Sequence, residues 1–272
     1  MATLSNTTPI VLTIAGSDSG GGAGIQADIK SISATGGYAC SVITALTAQN
    51  TQGVSGILGI APSFVEAQLD AVFSDLNVMA VKIGMLADAD IIQAVANKIK
   101  QYQPPYVVLD PVMVATSGDL LLESSAIDAL KSELLPLATI ITPNLPEGAA
   151  LLNRAIPQTE AEMLEMIEAL RSLNTATILL KGGHLESEAT STDLLITGEE
   201  VSRFETTRIH TKNTHGTGCT LSSAIASFLA QGQDLPSAVQ SAKHYITQAI
   251  SHADELSIGR GHGPVHHFFA RN

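Results

Sequence analysis

A short glycine-rich segment late in the chain has the composition of an anion-binding site. Residues 215–220 read His-Gly-Thr-Gly-Cys-Thr, and an apolar pattern with helical spacing follows over residues 221–228. Glycines can present consecutive backbone N–H groups, and a helix adds its unpaired N–H groups and the positive end of its dipole. We therefore expect Gly216, Thr217 and Gly218 to stabilise charge on a transferring phosphoryl group, the alternative being an ordinary glycine-lined helix start.

The chain has only two cysteines, and one of them, Cys219, lies in this segment. At a helix N-terminus the pKa of a thiol is expected to fall below its reference value of about 8.5. The position of Cys219 therefore predicts a reactive thiol beside the anion site. Cys40 lies in an apolar run and is predicted to be a small buried side chain. Two cysteines exclude a disulfide framework and a cysteine-based zinc site.

Residues 16–24 form a second glycine-rich segment, between a predicted strand and a helix that starts near Ile25. Ligands bind beyond the carboxyl ends of strands in open α/β sheets, so we expect this backbone to line a small-ligand site, with Asp28 facing it. Ile25 stands where the dinucleotide fingerprint needs its last glycine, and Gly22 where the P-loop needs lysine, which argues against a Rossmann oxidoreductase. The alternative is a turn that lets the helix pack close to the sheet.

Charged side chains follow three other predicted strands. Asp110 comes directly after one strand, Glu147 lies in the first turn of the helix after the next, and Lys181 follows a third. Carboxylates at two neighbouring strand ends could hold Mg²⁺ through waters, and the lysine could contact a nucleotide phosphate. The alternatives are a turn at Asp110, a helix cap at Glu147 and a solvated lysine.

The elements that position these residues alternate between short β-branched runs and amphipathic stretches. Most of the runs are apolar throughout, which indicates strands buried on both faces of a parallel sheet. The predicted strands are residues 10–15, 41–46, 80–83, 106–109, 139–142 and 176–180. Their order predicts a three-layer α/β/α fold with a mostly parallel central sheet, in a single domain that spans residues 1–272.

Helix starts and a turn complete this prediction. Two helix starts have the sequence of a capping box, which pairs Ser63 with Glu66 and Thr159 with Glu162. Two closing helices are predicted, over residues 216–231 and 235–256. Residues 191–209 predict two short strands around a turn, whose place in the sheet the sequence leaves open.

The composition excludes several classes of function. Lys and Arg total 14 against 26 Asp and Glu, so the net charge is −12, which argues against binding duplex nucleic acid. Tryptophan is absent and aromatic residues make up 4%, which disfavours stacking on single strands. No apolar run approaches the ~20 residues that span a bilayer, and the N-terminus lacks a basic region, so we expect a cytoplasmic protein without a membrane contact.

Taken together, the motifs resemble the ribokinase-like superfamily and, within it, the hydroxymethylpyrimidine/phosphomethylpyrimidine kinases. The segments that carry the resemblance occur in the same order over nearly the whole chain, at residues 15–28, 44–51, 82–86, 110–113, 142–147, 181–184, 215–220 and 263–268. The resemblance implies a ribokinase-like fold and a homodimer. It also implies ATP-dependent phosphorylation of 4-amino-5-hydroxymethyl-2-methylpyrimidine and then of its monophosphate, in thiamine biosynthesis.

The resemblance also implies roles for individual residues. Those implied to line the pyrimidine are Gly16, Asp28, Thr47, Gln49, Met85 and Cys219. Asp110 and Glu147 are implied on the Mg²⁺ side, and Asn144 and Lys181 on the nucleotide side. Gln49 is chemically apt because its amide offers a donor and an acceptor to an aminopyrimidine edge. Where the superfamily usually has an aspartate base, this chain has Cys219, which we expect to orient the hydroxymethyl group and accept its hydrogen bond.

Two other readings remain open. The nearest is a pyridoxal or pyridoxine kinase on the same scaffold, which would phosphorylate a different hydroxymethyl heteroaromatic. Gln49, together with Met85 and Cys219, favours the pyrimidine. The other is a protein that binds the pyrimidine without turning over ATP, which the presence of candidates for an anion hole, a base and metal carboxylates disfavours.

Overall fold

In the computed structural model, which describes residues 8–113, 124–185 and 189–271, one nine-stranded sheet runs through the molecule. The strands are β1 (Ile10–Asp18), β2 (Tyr38–Asn50), β3 (Gly53–Gly59), β4 (Val78–Ile83), β5 (Tyr106–Leu109), β6 (Ile140–Ile141), β7 (Ile178–Lys181), β8 (Thr190–Ile196) and β9 (Val201–Thr207). Their order is β3-β2-β1-β4-β5-β6-β7-β8-β9. The six strands from β2 to β7 in this order are parallel, and β3, β8 and β9 are antiparallel to their neighbours.

Helices cover both faces of the sheet. They are α1 (Gly24–Ala34), α2 (Pro62–Phe73), α3 (Ala89–Tyr102), α4 (Ser124–Ala129), α5 (Leu145–Leu152), α6 (Glu160–Glu165), α7 (Ile167–Arg171), α8 (Thr217–Ala230) and α9 (Leu235–Ser251). Leu12 and Ile14 of β1 pack with α2 to α7, whereas Val11 packs with α1, α8 and α9. Central strands therefore bury both faces, which explains their apolar sequence and confirms the predicted three-layer fold.

All six predicted strands are present, several with longer ends, and the structure adds one that was not predicted. That strand, β3, lies at the sheet edge and is mostly exposed, so it lacks the apolar pattern of a buried strand. The predicted hairpin over residues 191–209 is confirmed as β8 and β9, and it extends the sheet beyond β7. The single-domain organisation remains a prediction, which the continuity of the sheet supports.

The predicted capping box at Ser63 and Glu66 is wrong. Helix α2 begins at Pro62, so Ser63 already lies in its first turn, and the cap residue Ala61 offers no side-chain hydrogen bond. Proline suits the first helical position because its missing N–H would be unpaired there in any case. Pattern matching missed this because Ser63 has the right type and lies one position from a stronger helix-start signal.

The box at Thr159 forms only in part. The Thr159 hydroxyl accepts a hydrogen bond from the amide of Glu162, but the Glu162 carboxylate accepts from the amide of Gln158 and not from that of Thr159.

Among the described residues, none of the helices combines the length and the apolar composition that a membrane span requires.

Candidate active site

A cavity of about 1090 Å³ opens at the carboxyl ends of the parallel strands. It extends from the loop between β1 and α1, past the ends of β4 and β5, to the region between β9 and α9. The sequence-predicted site residues that line it are Gly16, Thr47, Gln49, Met85, Asp110, Asn144, Glu147, Lys181, Gly216, Thr217, Gly218 and Cys219. The sheet thus brings together residues from seven separate segments of the chain, as expected for an open parallel sheet.

Asp28 is the predicted site residue that does not line the cavity. Its side chain is fully buried, and its two oxygens accept hydrogen bonds from Thr13 at 2.6 Å, Ser223 at 2.7 Å and Lys82 at 2.9 Å. The expectation that Asp28 faces the ligand is therefore not met. Its place on the inner face of α1 turns it toward β1 and α8, and a buried carboxylate needs these partners.

Lys82, which the sequence reasoning did not assign a role, does reach the cavity wall. Burial alone would lower the pKa of this ammonium, but the carboxylate of Asp28 keeps it raised and therefore charged. The sequence did contain a signal for Lys82, because this lysine lies between apolar neighbours in a strand that is buried on both faces. An unpaired charge there would cost on the order of several kcal/mol, so a paired lysine was to be expected.

The first glycine segment is held by Asp18, another residue that the sequence reasoning missed. Its carboxylate accepts hydrogen bonds from the amides of Gly20, Gly22 and Ala23 at 2.8 to 2.9 Å, and it lies 2.9 Å from Nε2 of His215. Although burial alone would raise it, these bonds hold the pKa of Asp18 below its usual range. The loop is therefore fixed by an ionised carboxylate before any ligand binds.

The pyrimidine-facing candidates lie together beside this loop. A Cβ atom at Gly16 would stand 2.5 Å from Cε of Met85, so the two residues form one continuous wall. The Thr47 hydroxyl donates to the carbonyl of Ser17 at 2.8 Å and lies 3.1 Å from Oε1 of Gln49. Nε2 of Gln49 is 3.4 Å from the His215 ring. The Gln49 amide is thus oriented from both sides at the cavity surface.

The two glycine segments meet at the start of α8. Gly216 has φ +79°, and a Cβ atom there would stand 1.9 Å from the carbonyl oxygen of Gly22. Only glycine fits a left-handed backbone in such close contact. Helix α8 starts at Thr217, and Gly216, Thr217 and Gly218 line the cavity, although the amide of Thr217 already donates to the carbonyl of Thr214 at 3.2 Å. The anion site at this helix start stays a prediction.

The thiol of Cys219 does not have the lowered pKa that its position predicted. Burial raises the pKa of Cys219 to about 11, although Lys82 and the amide of Gly24 act in the opposite direction. The prediction was wrong because desolvation of the thiolate outweighs the helix N-terminus. The side chain is half-buried on the cavity wall, where it contacts the first glycine loop.

Asp110 and Lys181 form a buried ion pair at the centre of the cavity. Lys181 Nζ lies 2.9 Å from Oδ1 of Asp110, which also accepts from the Thr142 hydroxyl at 2.9 Å. Burial alone would raise the pKa of Asp110, but Lys181 and Lys82 hold it below its usual range. The alternative of a solvated Lys181 is therefore not what the structure contains.

Glu147 caps α5 and also lies at the cavity wall. Its carboxylate accepts from the amide of Asn144 at 2.8 Å, and the Asn144 side chain accepts from the amide of Glu147 at 2.8 Å, which completes a capping box. Burial and the nearby Asp110 raise the pKa of Glu147 to about 7, against the attraction of Lys181. Asp110 and Glu147 thus present two buried carboxylates, and the positive charge near Glu147 does not fully compensate its own. Such oxygen donors are suited to a divalent cation.

Beyond Lys181 the cavity continues to a second buried ion pair. Lys243 of α9 donates to Asp193 of β8 at 2.6 Å, and Asp193 also accepts from the amide of Gly182 at 3.0 Å. Asp193 and Lys243 both line the cavity. Within the described ranges no group of three or more histidine, cysteine and acidic side chains could hold a metal ion, so a cation here would rely on waters or substrate oxygens.

Comparison with known proteins places this geometry in context. A family profile described as phosphomethylpyrimidine kinase matches residues 18–266. A hydroxymethylpyrimidine/phosphomethylpyrimidine kinase from Escherichia coli is 54% identical to the chain, covering 95% of the chain and 97% of the relative.

Solved structures give the same picture. A Bacillus subtilis pyridoxal kinase in complex with ADP superposes with a TM-score of 0.89 at 35% identity, covering 97% of this chain and 99% of that one. A phosphomethylpyrimidine kinase from Clostridium difficile superposes with a TM-score of 0.77 at 43% identity, covering 89% of this chain and 99% of that one. The fold therefore agrees with nucleotide-dependent kinases of small heteroaromatic alcohols.

Proposed function

The chain belongs to the phosphomethylpyrimidine kinase family, and from that premise we propose how its cavity carries out the reaction. The enzyme transfers the γ-phosphoryl group of ATP to the hydroxymethyl oxygen of 4-amino-5-hydroxymethyl-2-methylpyrimidine. It then transfers a second phosphoryl group to the monophosphate, which yields the diphosphate used in thiamine biosynthesis. One observation supports this assignment above all, namely that Gln49 and Met85 share a cavity with the α8 N-terminus and with the Asp110–Lys181 pair.

The end of the cavity beside Gln49 holds the pyrimidine. The Gln49 amide pairs with the aminopyrimidine edge, because it offers one donor group and one acceptor. Gly16 and Met85 form the apolar wall against the ring face, and the absence of a side chain at Gly16 leaves room for the Met85 methyl group. Thr47 fixes the backbone beneath Gln49 by its bond to Ser17.

The α8 N-terminus stabilises the group in transit. Gly216, Thr217 and Gly218 line the cavity at this helix start, and the unpaired amides of the first helical turn stabilise charge that develops on the equatorial phosphoryl oxygens. The amide of Thr217 itself donates to the carbonyl of Thr214. Phosphoryl transfer through a loose transition state needs positioning and charge stabilisation more than covalent help. Lys181, whose Nζ would lie 3.4 Å from a Cβ atom at Gly218, and Asn144 contact the nucleotide phosphates beside this helix start.

The carboxylates of Asp110 and Glu147 are the residues that would hold Mg²⁺. The raised pKa of Glu147, caused by burial and by Asp110, supports this because a cation beside the pair would supply the missing positive charge. A bound Mg²⁺ would withdraw charge from the β- and γ-phosphate oxygens. Lys181 supplies a fixed positive charge to Asp110 in either case.

Cys219 orients the acceptor alcohol. With a pKa of about 11 its thiol stays protonated at neutral pH, so it serves as a polar contact for the hydroxymethyl group and does not remove the proton as a thiolate. This role replaces the one that an aspartate base performs elsewhere in the superfamily.

Product analysis by mass spectrometry tests the proposed function directly. The protein is incubated with hydroxymethylpyrimidine, ATP and Mg²⁺, and both the monophosphate and the diphosphate are expected. A Gln49→Ala variant is the matched control, because it should lose pyrimidine turnover while the cavity wall at Lys181 remains intact. Absence of both products from the wild-type protein would contradict the proposal.

Pyridoxal is the second candidate acceptor. The superposition on the Bacillus subtilis pyridoxal kinase favours testing it, since the two folds agree at a TM-score of 0.89. The kcat/KM for pyridoxal is measured beside that for hydroxymethylpyrimidine under the same conditions. We expect the pyrimidine to be preferred because of Gln49, and a higher kcat/KM for pyridoxal would reverse the assignment. The homodimer and the cytoplasmic location remain predictions.

A further inference from the structure

Lys82 is a buried charge at the reacting centre for which the mechanism above has no use. It lies on β4 opposite Thr13 of β1 and Val108 of β5, near the carboxyl end of the strand. The side chain is fully buried, yet it forms part of the cavity wall. Burying an ammonium is costly, so its presence calls for a compensating partner and for a reason.

Asp28 is the compensating partner, and it accepts hydrogen bonds from two of the three N–H groups of the ammonium. Nζ of Lys82 lies 2.9 Å from each carboxylate oxygen of Asp28, and Thr13 and Ser223 hold those oxygens in place. A lysine ammonium has three N–H donors. In the part of the chain that the structure describes, the protein acceptors of Nζ are the two oxygens of Asp28, so the third N–H has no protein acceptor there.

The surroundings of Nζ place that donor between the two halves of the site. A Cβ atom at Gly84 would stand 2.7 Å from Nζ and 3.1 Å from Cβ of Ala15, so only a glycine there leaves space for the ammonium beside the backbone of Met85. Asp110 and Cys219 lie close enough to interact electrostatically with the Lys82 ammonium. Lys82 therefore lies where the pyrimidine wall meets the phosphoryl-transfer residues.

We propose that Lys82 is a further catalytic residue, whose remaining N–H donates to the oxygen that accepts the phosphoryl group. This inference rests on the proposed function. As the bond from the hydroxymethyl oxygen to the γ-phosphorus forms, the bond from phosphorus to the β–γ bridging oxygen breaks and its electron pair leaves on ADP. The hydroxyl proton passes to a non-bridging oxygen of the transferred group and is released with product. Lys82 stays charged throughout and stabilises negative charge on the attacking oxygen.

Asp28 is a positioning residue in this arrangement. It holds the ammonium from below by two bonds, so the direction of the third donor is fixed without reorganisation during the reaction. The sequence analysis expected Asp28 to face the ligand, whereas the structure places Lys82 at the cavity wall and Asp28 behind it. Asp28 therefore acts on the substrate through Lys82.

The kinetic test separates this role from simple neutralisation of Asp28. Lys82→Met alone leaves a buried unpaired carboxylate and can unfold the protein, so the informative variant is Lys82→Met/Asp28→Asn, which removes both charges and keeps the volume. We expect its kcat with hydroxymethylpyrimidine to fall at least about 100-fold, with the KM for ATP within about threefold of wild type and the melting temperature retained. Recovery of near wild-type kcat in the double variant would show that Lys82 only balances Asp28, and would overturn the proposal.

A second measurement does not depend on turnover and so stays valid if the proposed function fails. The rate of Cys219 alkylation by iodoacetamide is measured in a Cys40→Ser background, because alkylation follows the thiolate fraction. Lys82→Met/Asp28→Asn should slow alkylation by at least about threefold, since Lys82 lowers the pKa of Cys219 more than Asp28 raises it. The charge-matched control Lys100→Met/Glu133→Gln, which removes both charges of a surface ion pair, should leave the rate unchanged. An unchanged or faster rate in the double variant would show that the ammonium does not act on the cavity, and would overturn the proposal.

Discussion

At the scale of single residues, the site depends on how each charge is paired. Asp110 is ionised because Lys181 and Lys82 face it, Glu147 is held near neutrality by burial, and Cys219 remains a thiol. We expect a cavity with these charge states to stabilise incoming phosphate charge with fixed cations and amides. It does not rely on a strong base, which agrees with a loose transition state.

The thiol can be tested by replacing it with a group that ionises. Cys219→Ala should lower kcat at saturating substrates by about tenfold, because it removes the polar contact to the acceptor alcohol. Cys219→Asp should retain more activity than Cys219→Ala, since a carboxylate near Lys82 is ionised and can accept the proton. Steady-state kinetics at saturating pyrimidine and ATP decides the order. A loss of less than about threefold in Cys219→Ala would remove the thiol from the mechanism.

The pyrimidine wall offers a second test at this scale. Gly16→Ala places a methyl group 2.5 Å from the original position of the Met85 methyl group, so the flexible end of Met85 must move into the ligand space. We expect the KM for the pyrimidine to rise about tenfold, roughly 1.4 kcal/mol, with the KM for ATP unchanged. The double variant Gly16→Ala/Met85→Ala relieves the collision and should recover part of the loss. Equal changes in both KM values would show that the substitution acts on the fold instead.

Residue types, spacing and the family resemblance identified residues that do line the cavity, but they missed its wall between β9 and α9. Glycine motifs and strand-end charges each mark a place where backbone or side chain can meet a ligand, and this local information is legible in sequence. The partners of Asp18, Asp28 and Lys82 were not legible, because each pair joins residues far apart in the chain. The prediction of a lowered pKa for Cys219 failed for the same reason, because the burial that raises this pKa is a tertiary property that no motif encodes.

At the scale of elements, α8 is the part whose start must be placed most accurately. Its first residues line the cavity beside the first glycine loop because Gly216 adopts φ +79° in close contact with the carbonyl of Gly22. The backbones of Gly22 and Gly216 are therefore in direct contact, with no side chain between the loop after β1 and the start of α8. This explains why two glycine-rich segments occur at opposite ends of the chain.

Gly216→Ala tests that contact, and Gly232 supplies a control with the same backbone strain. Gly232 also has a positive φ, +88°, but a Cβ atom there has no neighbour within 4 Å. Each alanine should cost roughly 1–2 kcal/mol of stability from the left-handed backbone. Only Gly216→Ala should also lower kcat, by at least about 100-fold, because the collision with Gly22 shifts the amides. Melting temperatures and kcat are measured for both, and equal kcat losses would refute the role of the contact.

Central elements could be predicted and edge elements could not. Strands β1, β4 and β5 are buried on both faces, so burial imposes an apolar run that the sequence displays. Strand β3 is exposed at the sheet edge and is held by pairing with β2, which imposes no composition. Helix ends were uncertain for a related reason, because two adjacent start signals at Pro62 and Ser63 compete and only geometry selects one.

At the scale of the whole molecule, the C-terminal tail holds the site together. His215 donates its amide to the carbonyl of Gly263, and the amide of His262 donates to the carbonyl of Thr51, so the tail spans from the α8 loop to the β2–β3 turn. His266 is tied to α9 through the carbonyl of Ala249. The tail therefore connects the loop before α8 with the turn between β2 and β3, the two regions for which we propose the phosphoryl and pyrimidine contacts.

His267 makes the attachment of this tail dependent on pH. Its ring is buried 3.0 Å from the Thr220 hydroxyl, and burial, with Lys30 nearby, lowers the pKa of His267 to about 4. The unfolded chain binds that proton near pH 6.5, so the unfolded state carries more protons between pH 6.5 and 4 and stability falls as the pH drops through this window.

His267→Gln should therefore flatten the pH dependence of unfolding. The wild-type protein is expected to lose up to about 1.4 kcal/mol of unfolding free energy per pH unit below pH 6.5 through this residue. The variant keeps a side-chain amide for Thr220 but has no group that titrates, so it should be less stable at pH 7.5 yet lose less between pH 7.5 and 5.0. Urea unfolding at both pH values measures the difference, and the carboxylates common to both proteins cancel. Parallel losses in the two proteins would show that the buried ring does not control acid stability, and that the tail is held by its backbone bonds alone.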